Sequence, residues 1–174
     1  YVAIFTSEAV WCSGNATYGP VSFTPSTVGT YRWIASYTGD ANNVAAAGAC
    51  GEAGENDTVT PRTPSISTLL TDGETTGTNL TFPIGSTVTD SSTLSGATSD
   101  AGGTVTYTVY TNSICTAEFA DAGTADVTNG VVGDSDPVTF NNAGTYYWQA
   151  VYRGDINNIE ATSACTDEVV TIVP

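Results

Sequence analysis

Residues 144–158 read GTYYWQAVYRGDINN. From Tyr146 onward the residue types alternate with a period of two, the repeat of a β-strand and not of a helix. Tyr146, Trp148, Ala150 and Tyr152 share one face, and Tyr147, Gln149, Val151 and Arg153 share the other. Gly154 and Asp155 then supply turn chemistry. The same pattern stands 115 positions earlier, where residues 29–43 read GTYRWIASYTGDANN. There Tyr31, Trp33, Ala35 and Tyr37 oppose Arg32, Ile34, Ser36 and Thr38. One face keeps its residue types between the two stretches while the other drifts, which marks a core face and a freer one.

The repeat extends outward from this strand. Cys50 and Cys165 keep the 115-residue offset, PVSF ending at Phe23 matches PVTF ending at Phe140, and Phe5 pairs with Phe119. Both copies close on similar strands, DTVTP at 57–61 and VVTIVP at 169–174. Pro61 and Pro64 bracket a stiff linker, 62–64, that is expected not to continue a ladder. Residues 65–174 therefore form a complete copy, and residues 1–61 the C-terminal part of one that lacks about fifty residues at its start. In the complete copy the alternation predicts strands near 65–70, 78–82, 87–95, 103–111, 124–132, 136–140, 144–153 and 164–173. That many short strands in one such stretch predict a β-sandwich, and the chain as a whole is expected to be all-β.

Composition narrows the chemistry. Lys+Arg 3 against Asp+Glu 18 gives a formal net charge of -15, so a run of phosphates or an anionic membrane surface has no basic patch to meet. No stretch is long and apolar enough for a membrane span. Histidine and lysine are absent, which removes Ser-His-Asp and Cys-His nucleophile systems, Schiff bases, the Walker A lysine and Lys–Asn isopeptide staples. The chain is expected to be non-catalytic. Gln149 is the one candidate for a Thr–Gln ester staple, but it falls on the drifting face.

Asn142-x-Gly144-x-Tyr146-x-Trp148 has the spacing of a tyrosine corner, in which a Tyr hydroxyl bonds upstream backbone. With GTYxWxAxYxGDxNN, the later AC and the closing VT-rich strand, the chain resembles tandem bacterial immunoglobulin-like (Big) repeats of secreted and surface proteins. VTDSSTLSGATSDAGGTVTYTVYTNSIC, residues 88–115, resembles the upstream half of such a repeat. The resemblance implies tandem immunoglobulin-like β-sandwiches, the first incomplete on its N-terminal side, in an extracellular fibre or adhesin stalk. It implies neither catalysis nor a fixed ligand.

Four cysteines in a lysine-free chain suit an oxidising compartment. Cys115–Cys165 is the natural pair within the complete copy. For the first copy Cys12–Cys50 is the favoured bridge, the alternative being that Cys50 bonds outside the chain and Cys12 serves an intermolecular bond. No cofactor is expected, and Asp40, Asn42, Asp155 and Asn157 are weak Ca²⁺ candidates whose residue types serve turns equally well. Asn15, Asn56 and Asn79 head glycosylation sequons. Trp11, Tyr18 and Tyr147 are candidates for an aromatic glycan-binding platform. The sequence reading is a structural extracellular stalk module whose partners are neighbouring repeats or identical subunits. Its alternatives are a filament subunit completed by strand addition from a neighbour, and a carbohydrate- or surface-binding adhesin module.

Overall fold

A computed structural model describes Thr17 and residues 19–174. The described residues form strands, turns and loops and no helix. Before the linker lie β1 (Gly29–Arg32), β2 (Ser36–Tyr37), β3 (Ala46–Ala47) and β4 (Asn56–Val59). β1 pairs antiparallel with β4, and β2 with β3. After the linker come β5 (Ser65–Thr71), β6 (Thr76–Gly77), β7 (Asn79–Pro83), β8 (Thr87–Ser95) and β9 (Thr104–Tyr110). The chain continues with β10 (Glu118–Thr128), β11 (Val131–Val132), β12 (Val138–Thr139), β13 (Gly144–Tyr152), β14 (Ala161–Thr162) and β15 (Glu168–Val173).

These later strands make two sheets. One has the order β12-β8-β5-β6, the other β11-β10-β9-β13-β15-β7 with β14 pairing β13. All pairings are antiparallel except β15 with β7, where Val169 to Val173 run parallel to Asn79 to Pro83. Ile66, Leu70 and Val88 from the first sheet share one core with Val105, Tyr107, Val109, Trp148, Ala150 and Val170 from the second. β13 buries Tyr146, Trp148, Ala150 and Tyr152 and leaves its other face half-buried, the phase its alternation predicts.

Three sequence expectations need correction. The strand expected at 124–132 begins at Glu118 and ends at Thr128, with β11 separate, because a Thr128–Val131 hairpin intervenes with Asn129 and Gly130 at positive φ. The strand expected over 164–173 begins only at Glu168, since the Cys165 segment forms a turn between β14 and β15. The linker also continues a ladder: Arg62 bridges Asn158 in parallel, donating its N–H to the Asn157 carbonyl (2.8 Å) and accepting from the Ile159 N–H (2.9 Å). Proline removes only its own donor, so Arg62 between Pro61 and Pro64 keeps its N–H.

Candidate functional site

The two GDxNN loops are built alike. In the second, Asp155 N–H donates to the Asn158 carbonyl at 2.9 Å. Its carboxylate accepts from the Asn157 N–H at 2.7 Å, the Asn158 side-chain amide at 2.9 Å and the Gly102 N–H at 2.7 Å. Burial pushes this carboxyl up, but the bonds from Gly102, Asn158 and Asn157 together hold it below the usual carboxylate range. In the first loop Asp40 N–H donates to the Asn43 carbonyl at 2.9 Å. The Asp40 carboxylate accepts from the N–H groups of Asn42 and Asn43, from the Asn43 amide and from the Tyr37 hydroxyl. The Asn42 N–H, the Tyr37 hydroxyl and the Asn43 amide hold it at about 2.

Gly39 and Gly154 have φ of 83° and 74°. A Cβ would lie 2.8 Å from the Asn43 carbonyl oxygen at the first and 2.5 Å from the Asn158 oxygen at the second, so only glycine lets the loop close. Asp40 and Asp155, two of the four Ca²⁺ candidates, thus accept from donors of their own loops and from Tyr37 and Gly102 respectively. Among the described residues no group of three or more His, Cys, Asp or Glu is gathered as for a metal ion.

Asn157 reaches further. Its side-chain oxygen accepts from the Val28 N–H (3.1 Å) and its amide donates to the Ser26 carbonyl (3.2 Å), both before the linker. With the Arg62 bonds, the loop therefore clasps the preceding segment at four points. A cleft of about 390 Å³ lies beside this clasp, lined by Pro25, Val28, Val59, Arg62, Asp100 and others. No sequence pattern announced this role for Asn157, since the partners of its side chain are more than a hundred residues away.

Tyr146 donates its hydroxyl to the Asn142 carbonyl at 3.1 Å, and Tyr31 to the Thr27 carbonyl at 2.6 Å. Both are four residues upstream, as a tyrosine corner has it. Phe140 lies edge-on to Trp148 with centroids 6.4 Å apart, and Phe23 to Trp33 at the same 6.4 Å. Burial separates the two sets. Trp148 is fully buried, whereas Tyr31 and Trp33 are half-buried, and no described residue before Pro64 is buried.

Cys115 and Cys165 form a disulfide with their Cα atoms 5.7 Å apart. Cys50 is an exposed free thiol, so the favoured bridge to Cys12 is not among the bonds of the described residues, and Cys12 itself lies outside them. Asn56 and Asn79 sit exposed in β4 and β7, the Asn56 amide donating to the Glu52 carbonyl at 2.9 Å. Asn15, Trp11 and Tyr18 lie outside the described residues, leaving Tyr147 as the described member of the aromatic platform. The Gln149 amide donates to the Ser163 carbonyl at 3.2 Å and has no threonine among its hydrogen-bond partners.

Sequence reading missed one site in the core. Asp90 of β8 and Glu168 of β15 face each other from opposite sheets, 0% and 1% exposed and within hydrogen-bonding reach. Among the described residues none of their four oxygens has a hydrogen-bond partner of strict geometry, although Thr68 and the Leu70 N–H lie near enough to favour the Glu168 charge and the Leu69 N–H that of Asp90; the Trp148 indole N–H is also unpartnered. Burial, then the Glu168 charge, drives the Asp90 carboxyl far above its usual range, and burial raises Glu168 as well. A single proton held between the two carboxyls relieves their repulsion. Such a pair could serve acid–base chemistry only if a substrate reached it, and the core encloses it.

No family model matches this chain, and no curated protein matches it.

Proposed function

We propose that this chain is a structural, non-catalytic part of a secreted or cell-surface protein, built from tandem immunoglobulin-like units that act as a stalk or fibre. One observation carries the reading: the same hydrogen-bonded scaffold recurs at a fixed offset. Ser36 and Tyr37 pair Ala47 and Ala46 as Val151 and Tyr152 pair Thr162 and Ala161, each residue 115 positions on. The antiparallel pairing of β1 with β4 recurs in β13 with β15, where Gly144 pairs Ile172 as Gly29 pairs Val59, so the closing strand is two residues short of the offset; the tyrosine corner and GDxNN loop accompany both.

Within residues 65–174, β5-β8-β12 and β9-β13-β15 correspond to strands A-B-E and C-F-G of an immunoglobulin-like sandwich, which supports the finer reading. The disulfide suits an oxidising compartment. Immunogold labelling of intact cells of the native source tests the proposal. Label on extended surface structures is the expected result; label confined to the cell interior would overturn it.

A second reading, strand addition from a neighbour, is favoured by the half-buried Tyr31 and Trp33, whose counterparts in the second unit are covered by the β5–β8 sheet. It predicts quenching or a shift of Trp33 fluorescence when a peptide of residues 65–95 is added to the full chain.

A further inference from the structure

We infer that the GDxNN loop is the end-to-end docking site of each unit, and that the Gly39–Val44 loop receives the far end of a second copy of this chain. The inference rests on the tandem-unit reading above and deepens it by naming the contact through which units meet.

The template is the contact already formed within the chain. At the second loop, Asn157 offers its side-chain oxygen to Val28 N–H and its amide to Ser26, while the Asn157 carbonyl and Ile159 N–H take Arg62. Each of these groups has a counterpart 115 positions earlier. Among the described residues the Asn42 side chain has no hydrogen-bond partner, and neither do the Asn42 carbonyl and the Val44 N–H. Val44 is 89% exposed, and an open concavity of about 530 Å³ lies along Thr38–Ala45. The loop is nevertheless preformed, because Asp40 anchors it with the same internal bonds that Asp155 uses.

The complementary surface lies at the opposite end of the second unit. Ser26 and Val28 correspond to Asn141 and Ala143, which flank the Asn142 carbonyl held by the tyrosine corner, as Thr27 is held by Tyr31. Asn141 and Ala143 are exposed, and the Asn141 carbonyl and Ala143 N–H have no partner among the described residues. The pair that Asn157 satisfies inside the chain is thus presented again by one unit, and an unoccupied asparagine of the same geometry by the other. A contact between different patches of identical copies is head-to-tail, and unless its rotation closes a ring it builds an open array. In trans such a contact is weak, and tethering units in one chain raises its effective concentration to the millimolar range.

A dilution series of the full chain by amide NMR and small-angle scattering, from about 10 μM to about 1 mM, tests this. The expected result is elongation with concentration, with the Val44, Asn141 and Ala143 signals shifting together. Asn42→Ala, which deletes a side chain with no internal bond, is expected to raise the dissociation constant at least tenfold while leaving other signals in place. In the same chain, Asn157→Ala is expected to speed amide exchange at Val28. No association at the highest concentration, association mapping to Trp33 and Tyr31 instead, or an Asn42→Ala variant that associates normally would each overturn the inference. Surface immunogold label with no association would leave the stalk standing as tethered units without the docking contact. Interior label with association would sink the stalk and keep the contact.

Discussion

Asp90 and Glu168 make the core formed by β5 to β15 sensitive to pH in an uncommon direction. Asp90 is raised on folding by burial and by Glu168, and Glu168 chiefly by burial, so the folded chain holds a proton that the unfolded chain releases above about pH 4. Stability from this pair is therefore fully present below that pH and is lost as pH rises through the raised values. Urea midpoints are expected to be higher at pH 5 than at pH 8. Asp90→Asn keeps a donor toward Glu168 and removes one titration, so it is expected to raise the pH 8 midpoint and flatten the profile. Parallel profiles for wild type and variant would show that the pair does not titrate as described. Charged and titratable neighbours that share this region are Tyr107, pushed up to about 12 chiefly by burial, and Asp134. Tyr146→Phe and Tyr31→Phe remove the same corner bond in different surroundings. The first is expected to cost about 1 kcal/mol in chemical denaturation and the second less, because Tyr31 is more exposed. If the two cost the same, burial does not set the strength of the corner.

Among the elements, the Cys115–Cys165 bridge ties the turn after β9 to the turn before β15 across 50 residues. In the chain-entropy model its loss costs about 4 kcal/mol. Replacing both cysteines by serine is expected to lower the thermal midpoint by about 10 °C or more, and reductant is expected to do the same to wild type only. The GDxNN loops give the opposite expectation for metal. With their carboxylates already engaged by protein donors, 1 mM-scale Ca²⁺ or a chelator should leave Tm unchanged, and a Ca²⁺-dependent rise would return Asp40 and Asp155 to the role of ligands. How legible these elements are depends on range. β13 could be phased from its own alternation, because a strand's faces follow from a local period of two. The closing of its GDxNN turn was legible too, from Gly, Asp and Asn side by side. The inward phase of Asp90, two residues from Val88 in TVTDSSTLS, was open to the same reading, but its pairing with an acid 78 positions away on another sheet was not.

For the whole molecule, burial is uneven: every buried described residue lies at or after Pro64. Limited proteolysis is expected to remove the segment before the linker first and to leave a resistant fragment starting near residues 61–65, identified by intact mass. Early cleavage inside 65–174 would contradict that order. By itself the sequence determined the all-β class, the face that β13 buries and the 115-residue recurrence. Each of these follows from residue type and spacing along the chain. Only the tertiary structure decided which acids share a proton, that the linker is a hydrogen-bonded clasp and not a bare spacer, and that Asn157 joins one segment to the next. Those outcomes depend on which backbone and side-chain groups distant strands bring within about 3 Å, a distance that no local pattern encodes.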